Sequence, residues 1–527
     1  MHDSPKKEEN KLLNIERNKG SSHKSFIHQF PRNLGSNILL FLTNVLIGIW
    51  LVPYLIKNLG VAAYGLIPLV MSLTHYVGLV TVAISGGISR FLTIDLQRGN
   101  YDQANKTFNT SFWSLLIVIL LLVPVLVVST FFLPVFFQVL SGQETSFKWL
   151  FAGTIGAFLL TTLSSCFSAS TVAYNRLDLR NYSHIVRSVS RFIFLVLLFN
   201  VFDPSLERVA LATLFSSFAS FGMNYFYWRK LTPNLEIRPS FFDKKRVRDL
   251  TQLGGWILVN QIGSLLFLQI DLIVVNRFWG PTAGGEYASI LQWSMLLRSM
   301  AAVLSGVIQP MLMISYARGN MENLVRISKT AVKFMGLGMS IPIGFACGFS
   351  EELLNVWLGP DFIKFSPLLI LVLFHLSINL AVTPLFSINL CYNKVKFPGI
   401  ITLILGGLNV MLAIVIPVVF DIGVYGVALA GAIVLTLKNA LFTPWYAARV
   451  VGIRTQSFLK EMGVSVFSTG AIFILCTFLS NFLVIGSWLQ LILTGSLVVA
   501  LFSLFSFFVV ISPEERLLLR NLVMRRT

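Results

Sequence analysis

The sequence predicts an all-α, polytopic integral membrane protein with about fourteen transmembrane helices, arranged as two six-helix bundles plus two appended helices. Of its 527 residues, 55% are hydrophobic and 12% are charged, whereas soluble domains carry about 25% charged residues. The mean hydropathy is +0.75. Two further observations, an internal repeat and an uneven distribution of basic residues between loops, predict how the helices are organised.

Apolar runs of about 20 residues recur along the chain, and each is long enough to cross about 30 Å of hydrocarbon as a helix. Polar or charged segments separate most of these runs. The predicted spans cover residues 35–57, 63–89, 110–137, 149–173, 182–202, 207–228, 252–279, 284–310, 328–350, 366–391, 398–420, 423–447, 460–482 and 486–511.

A sequence repeat relates the two halves of the chain. The segment Ser85–Asn100 recurs as Ser305–Asn320, 220 residues later, with eight of sixteen positions identical. Tyr174–Arg176 likewise recurs as Tyr392–Lys394 after 218 residues. Two such sequence matches in the same order predict two homologous halves. In a membrane protein, such halves usually form bundles that rock around a central site. Transport is therefore the first functional hypothesis.

Six spans return the chain to its starting side, so the two repeats are predicted to have the same orientation, related by an axis along the membrane normal. The last two spans have no counterpart in either half. The predicted organisation is a disordered basic cytoplasmic tail (1–33), an amino-terminal six-helix bundle (34–228), a basic cytoplasmic linker (229–251), a carboxy-terminal six-helix bundle (252–447), and two additional helices with a basic cytoplasmic tail (448–527).

The net charge of +18 would suggest a nucleic-acid partner if the protein were soluble. Its distribution indicates otherwise, because 34 of the 41 Lys and Arg residues fall in segments and helix ends on one side of the predicted spans, and five fall on the other side. This asymmetry follows the positive-inside rule and predicts that both termini are cytoplasmic. Membrane lipids, and not nucleic acid, are the expected surroundings. The two remaining cations, Arg298 and Lys438, lie within spans.

Asp271 lies well inside the seventh predicted span. At about 100° per residue, Asn260 and Ser264 fall on the same helix face. An intramembrane carboxylate is expected to be functional, so these residues are candidates for substrate binding, and Asp271 is also a candidate for a coupling ion, H+ or Na+. The alternative is a structural hydrogen-bonded seam between helices.

Arg298 is the candidate anion contact, because a guanidinium donates two parallel hydrogen bonds to a phosphate and keeps its charge. Its depth along span 8 differs from that of Asp271 in span 7, so we expect the two to pair only imperfectly. Lys438 in span 12 is a second candidate cation, although its long side chain could instead extend towards the cytoplasm.

His75 and His375 are candidate proton carriers, because histidine titrates near neutral pH. The alternative is that both are buried histidines with satisfied hydrogen bonds. The Arg-Gly-Asn tripeptides after spans 2 and 8 predict a turn followed by a helix start. Arg187 and Arg191 are expected to anchor lipid headgroups near an inner helix end. No catalytic residues, metal site or cofactor are predicted, and we expect a protein that is not an enzyme.

Three segments resemble the polysaccharide-biosynthesis flippases, which export lipid-linked oligosaccharides such as the O-antigen units of lipopolysaccharide in bacteria. They are Asn44–Leu73 (NVLIGIWLVPYLIKNLGVAAYGLIPLVMSL), Arg90–Asn105 (RFLTIDLQRGNYDQAN) and Gln269–Gly280 (QIDLIVVNRFWG). The likeness extends from about Arg32 to Ile511. This family belongs with the lipid II flippases and the multidrug and toxin extrusion transporters in one superfamily.

The resemblance implies two six-helix bundles, alternating access, and a cationic cavity for an undecaprenyl diphosphate-linked glycan in the bacterial cytoplasmic membrane. It also implies that Asp271 stands at an acidic position common in span 7. Spans 1 and 2 carry fewer arginines than lipid II flippases usually have, which argues against lipid II as the substrate. Polysaccharide polymerase machinery is a further expected partner.

Three classes of function follow. The first is a flippase that moves a lipid-linked oligosaccharide from the inner to the outer leaflet. The second is a secondary exporter of amphipathic cations or drugs with the same fold, which should favour acidic and aromatic cavity residues. The third is a membrane glycan polymerase or glycosyltransferase, which would need a substantial external loop that this sequence lacks. The resemblance and the charge pattern favour the first.

Overall fold

The protein is described by a computed structural model that covers residues 5–513 and Arg516. Regular structure in this part of the chain is helical throughout, with no strand. The prediction of an all-α polytopic membrane protein is confirmed. The amino-terminal helices are α1 (Pro5–Leu59), α2 (Val61–Gln97), α3 (Tyr101–Phe136), α4 (Glu144–Ala173), α5 (Leu177–Val201), α6 (Leu206–Leu231) and α7 (Lys244–Leu268).

The helices of the carboxy-terminal half are more often interrupted. The predicted span 366–391 consists of three short helices, and a π-helical turn at Leu437–Phe442 interrupts the helix of the predicted span 423–447. These helices are α8 (Ile270–Ala317), α9 (Met321–Gly348), α10 (Ser350–Leu358), α11 (Ser366–Phe374), α12 (Leu376–Ala381), α13 (Pro384–Cys391), α14 (Lys396–Phe420), α15 (Val424–Thr436), α16 (Thr443–Val451), α17 (Leu459–Ser480) and α18 (Trp488–Phe505).

Thirteen helical segments among the described residues are long and apolar enough to cross a membrane. One of them, Leu258–Ala317, contains 60 residues, which at about 1.5 Å per residue is long enough for two crossings. Gly280, with φ 87° and ψ 179°, breaks the helix within that segment. The count of fourteen crossings remains a prediction.

The described chain forms two compact units. The amino-terminal unit contains the residues up to Ile47, Val77–Leu133 and Thr145–Leu258. The carboxy-terminal unit contains Gly48–Tyr76, Pro134–Glu144 and the described residues from Val259 onward. Helices α1 and α2 therefore contribute to both units. The division into repeat bundles at residues 34–228 and 252–447 remains a prediction.

The core of the amino-terminal unit contains a cluster of aromatic rings in stacked and edge-on contact. The ring centroid of Trp228 lies 5.0 Å from that of Phe108 and 5.2 Å from that of Phe167. Leu235, from the predicted basic linker, is fully buried against this cluster. Part of the linker is thus packed into the core of this unit.

Two asparagines one helical turn apart on α3 hold the backbone of the same linker. The amide of Asn105 donates to the carbonyl of Asn234 and accepts from the N–H of Glu236, at 3.0 and 2.9 Å. Asn109 does the same with the carbonyl of Glu236 and the N–H of Arg238, at 2.7 and 2.8 Å. The two asparagine side chains thus bond the backbone of alternate linker residues. These bonds fix the segment against α3.

In the carboxy-terminal unit, α9 packs closely against α17. A Cβ atom added at Gly336, Gly344 or Gly348 would overlap Ser465, Ile472 or Cys476. Small residues allow two membrane helices to approach to backbone contact, where dispersion and polar contacts replace the missing hydrophobic drive. Helix α17, which matches the first of the two appended spans, is therefore an integral part of this unit.

The repeated Arg-Gly-Asn tripeptides adopt the same local conformation in the two units. Gly99 and Gly319 both have φ 69°. The side chains of Asn100 and Asn320 each accept a hydrogen bond from the backbone N–H three residues later, at 3.1 and 2.9 Å. The turn and helix start predicted from these tripeptides are present. The relation between the two halves as an internal repeat remains a prediction.

Alanine at either repeated glycine should destabilise the protein. Gly99→Ala and Gly319→Ala would each force a Cβ into the left-handed region at a cost of about 1 kcal/mol. We expect a lower Tm for the purified protein in detergent. The matched control is Gly222→Ala within α6, where a Cβ meets nothing within 4 Å and helix propensity favours alanine by about 1 kcal/mol. A fall in Tm for the control equal to those of the two turn variants would contradict the backbone explanation.

Candidate functional site

All seven candidate site residues lie in the carboxy-terminal unit, and hydrogen bonds and electrostatic interactions connect four of them. These four are Asp271, Arg298, His375 and Lys438, which we call the polar cluster. Each of them lies in a span that was expected to be apolar. The other three candidates, Asn260, Ser264 and His75, have no hydrogen bond to the cluster in the part of the chain described.

Asp271 is buried in the first turn of α8. The hydroxyl of Tyr287 donates to its Oδ2 at 3.1 Å, while its Oδ1 has no partner among the described residues. Gln269, with φ −124° and ψ −13°, separates α7 from α8. Asn260 is exposed on α7, where its carbonyl accepts from the Ser264 hydroxyl at 2.9 Å. The polar stripe expected from helix periodicity is therefore interrupted before it reaches Asp271.

Asn409 on α14 provides a second buried oxygen close to Asp271, and the sequence analysis missed it. Its Nδ2 donates to the carbonyl of Leu266 at 3.0 Å, and its Oδ1 has no partner in the described chain. A Cβ added at Gly431 would lie 3.8 Å from Asp271 Oδ2 and 3.9 Å from Asn409 Oδ1. A carboxylate and an amide oxygen therefore border the same small space. The available signal was a lone asparagine in an apolar span.

Arg298 is half-buried on α8, and most of its donors have no hydrogen-bond partner among the described residues. Its Nε donates to the hydroxyl of Ser294 at 3.2 Å. Its guanidinium interacts electrostatically with Asp271, yet no ion pair joins these two described residues. The imperfect pairing expected from their depths is thus observed. Within the described residues, its terminal nitrogens donate no hydrogen bond.

His375 lies at the break between α11 and α12. Its Nδ1 is 2.8 Å from Nδ2 of Asn379, and Oδ1 of Asn379 accepts from Asn439 at 2.9 Å. Because an amide nitrogen can only donate, Nδ1 is the acceptor, and this network assigns the ring proton to Nε2. Arg298 lies close enough to His375 to interact electrostatically. His75, in contrast, is exposed on α2.

Lys438 lies on the π-helical turn that follows α15. Its Nζ is 3.5 Å from Oδ1 of Asn439 and 5.1 Å from the ring centroid of Phe386. Asn439 links it to Asn379 and hence to His375. Such π-turns occur frequently at functional sites. Asp271, His375 and Lys438 thus each stand at an interruption of a membrane helix, as binding residues of transporters often do.

A row of basic side chains on α5 forms a second feature, in the amino-terminal unit. Arg180, His184, Arg187 and Arg191 are spaced four, three and four residues apart and share one helix face. All four are half-buried, and Nε of Arg180 and of Arg191 is buried without a partner within residues 5–513. We call this row the α5 basic stripe.

The α5 basic stripe includes two residues for which the sequence predicts contacts with lipid headgroups. Arg187 and Arg191 were expected near an inner helix end, but α5 begins at Leu177. Arg191 therefore lies about 21 Å along the helix, past its midpoint. The contact of Arg187 and Arg191 with lipid headgroups remains a prediction. The helical spacing of the four basic residues was the sequence signal for their shared face.

An apolar groove lies between α17 and α18. It has a volume of about 1010 Å³, and its lining includes Gly463, Phe467, Ile472 and Phe502. Lys460 and Ser468 are the polar residues in its lining. The groove is thus suited to an alkyl or isoprenoid chain.

A family model described as "Polysaccharide biosynthesis protein" matches residues 30–314, which is more than half of the chain. The chain belongs to this family. A relative in Bacillus subtilis (strain 168), named "Uncharacterized membrane protein EpsK", is 35% identical over 500 residues, covering 94% of this chain and 98% of its own length. The family prediction is confirmed, and the protein is a multi-pass membrane protein.

Solved structures show the same fold. The lipid II flippase MurJ in an inward closed conformation has a TM-score of 0.64 at 18% identity, covering 91% of this chain and 99% of its own. An inward-facing multidrug resistance MATE family transporter of the MOP superfamily has a TM-score of 0.60 at 15% identity, covering 80% and 98%. At these identities the likeness establishes the fold. The fold is thus one that flippases and exporters use.

Proposed function

We propose that this protein is a flippase that moves an undecaprenyl diphosphate-linked oligosaccharide from the inner to the outer leaflet of the bacterial cytoplasmic membrane by alternating access. The observation that carries the proposal is Arg298, a half-buried intramembrane arginine without an ion pair among the described residues. Arg298 interacts electrostatically with Asp271 without forming an ion pair with it, and holding a cation without a close counter-ion at membrane depth is costly. A diphosphate would supply the missing negative charge and accept its free donors.

Other basic side chains support an anionic substrate. Lys438 adds a cation to the polar cluster, and the α5 basic stripe adds three arginines in the other unit. Each unpaired polar group of a glycan in hydrocarbon costs several kcal/mol. Protein side chains must therefore shelter the headgroup during its passage. A cationic drug, the substrate class of the alternative exporter, would be repelled by these residues.

The first prediction concerns Arg298. Arg298→Ala should remain inserted and abundant yet lose transport in vesicles, because the diphosphate loses its bidentate donor. Arg298→Lys should recover transport only in part, since the lysine ammonium keeps the charge but cannot donate the two parallel hydrogen bonds of a guanidinium. The measurement uses purified protein in vesicles containing undecaprenyl diphosphate-linked oligosaccharide, with the glycan exposed outside detected by an impermeant lectin or enzyme.

Arg208→Gln is the matched control, because it removes an arginine outside both basic features. Normal transport by Arg298→Ala would remove the anion-contact role. A wild-type protein that moves no lipid-linked glycan but exports an organic cation dye would favour the multidrug alternative.

We further infer that Asp271 and Asn409 hold the coupling cation, H+ or Na+. Asp271 Oδ2 and Asn409 Oδ1 both border Gly431, and Asp271 Oδ1 and Asn409 Oδ1 are buried without partners within the described residues. Carboxylate and amide oxygens are suitable ligands for a hard cation. Tyr287 fixes one carboxylate oxygen and leaves the other free. His375, with its Nδ1 already bonded, is the weaker candidate for carrying a proton.

The second prediction tests this ion site. Asp271→Asn keeps the shape and the bond from Tyr287 but removes the charge, so glycan movement should no longer respond to an imposed Na+ or pH gradient. Asn409→Leu should weaken the same response, because it removes a neutral ligand. Vesicle transport is measured with each gradient imposed separately, which distinguishes Na+ from H+. A full gradient response in Asp271→Asn would refute the assignment.

We also infer that the groove between α17 and α18 holds the polyprenyl chain while the headgroup crosses. The groove is apolar over most of its lining. Since lipid is as apolar as this lining, the groove would hold an isoprenoid chain through dispersion contacts. The tail and the headgroup would then be held by different parts of the protein.

The third prediction fills this groove. A Cβ at Gly463 meets nothing within 4 Å, so Gly463→Trp should fold normally and reduce the transport of a long polyprenyl substrate more than that of a short one. Gly407→Trp on α14 is the control, because that position is equally open and does not line the groove. Equal effects of Gly463→Trp on long and short substrates would contradict the tail site.

The cellular setting remains a proposal. It comprises cytoplasmic termini, a surface polysaccharide such as the O-antigen of lipopolysaccharide, and cooperation with polymerase machinery. The chemical identity of the glycan can be determined by analysing the lipid-linked sugars that accumulate in a deletion strain.

A further inference from the structure

A tryptophan side chain bonds to the backbone of a membrane helix in the carboxy-terminal unit. Nε1 of Trp357, on the short helix α10, donates to the carbonyl oxygen of Ile49 on α1 at 2.7 Å. Trp357 is 4% exposed, and its ring meets that of Trp293 edge-on, with centroids 5.3 Å apart. An α-helical carbonyl normally accepts from the amide four residues later, so this acceptor requires an explanation.

Proline accounts for the free carbonyl. The residue four positions after Ile49 is Pro53, which has no backbone N–H to donate. The carbonyl of Ile49 would otherwise lack its helical partner within an apolar segment, at a cost typical of a buried unpaired polar group. The indole N–H of Trp357 takes the place of the missing amide.

The bonded carbonyl lies where α1 changes unit. Residues up to Ile47 belong to the amino-terminal unit and those from Gly48 to the carboxy-terminal unit. Beyond this point α1 is attached by close packing, since a Cβ at Gly48 would overlap Gln292. The Trp357 bond is therefore a directional attachment at the first turn of the part of α1 that belongs to the carboxy-terminal unit.

We propose that Trp357, Ile49 and Pro53 form a latch that holds the second half of α1 on α10 in this state and opens during transport. The function of the latch rests on the proposed flippase activity, because alternating access requires some helix contacts to be made in one state and released in the other. Pro53 prepares the acceptor and Trp357 supplies the donor. One hydrogen bond shifts a two-state equilibrium by about fivefold, so the latch biases the equilibrium without blocking it.

The test measures opening without measuring transport. Leu55, on the same segment, is 3% exposed, so Leu55→Cys in a background without the four native cysteines reports detachment through its rate of maleimide labelling. With protein in nanodiscs, W357F should raise this rate about fivefold, because it removes the N–H and keeps an aromatic ring. W293F is the matched control, since Nε1 of Trp293 has no partner in the described chain.

Substitution of Pro53 provides an independent test of the latch. P53A restores the amide, so the carbonyl of Ile49 regains its helical bond and loses its need for Trp357. W357F should then have little further effect in the P53A background. An increase from W357F that is the same with and without Pro53, or the same as from W293F, would overturn the latch. Amide hydrogen exchange of residues 50–59 provides a second readout if Leu55→Cys does not fold.

The labelling experiment tests the latch separately from the proposed flippase activity. Unchanged labelling in W357F overturns the latch even if the protein flips lipid-linked glycan. Labelling that rises as expected, in a protein that moves no glycan, supports the latch as a conformational device and removes the flippase assignment.

Discussion

A polar group within hydrocarbon has no water to bond, so each one must find its partner inside the protein. This constraint explains why the membrane-spanning backbone is helical and why its few interruptions are informative. The chain is broken at Gln269 and at His375, and a π-turn carries Lys438. Irregular backbone at membrane depth is tolerated where protein or a water-filled cavity surrounds it. Such positions are therefore also those that can accommodate charged side chains and a polar ligand.

The same constraint distinguishes polar groups that are satisfied within the protein from those that a bound ligand would satisfy. Asn105 and Asn109 satisfy four backbone groups of the linker, and their contribution is structural. Arg298 and Arg191 keep donors without protein partners in the described chain, although an unpaired cation in a membrane is costly. A substrate that brings its own negative charge would compensate that cost, and it would do so only while bound.

Proline extends this argument from side chains to the backbone. By removing one amide, Pro53 creates an acceptor that a neighbouring helix can occupy or leave. A contact of this kind is worth about as much as any single hydrogen bond. It therefore suits a transporter, whose states must differ by small free energies if both are to be populated.

Composition, the lengths of the apolar runs and the resemblance to a family determined the all-α membrane fold from sequence alone, because burial in lipid depends on local hydrophobicity. Scarce intramembrane charge also identified Asp271 and Arg298. Helix periodicity grouped Asn260 and Ser264 with Asp271 because it assumes an unbroken helix, and the chain is interrupted at Gln269. The tertiary structure alone decided that Asn409 approaches Asp271 and that Trp357 reaches the carbonyl of Ile49. Those contacts join residues distant in sequence, and only the packing of the helices determines which polar atoms find a partner.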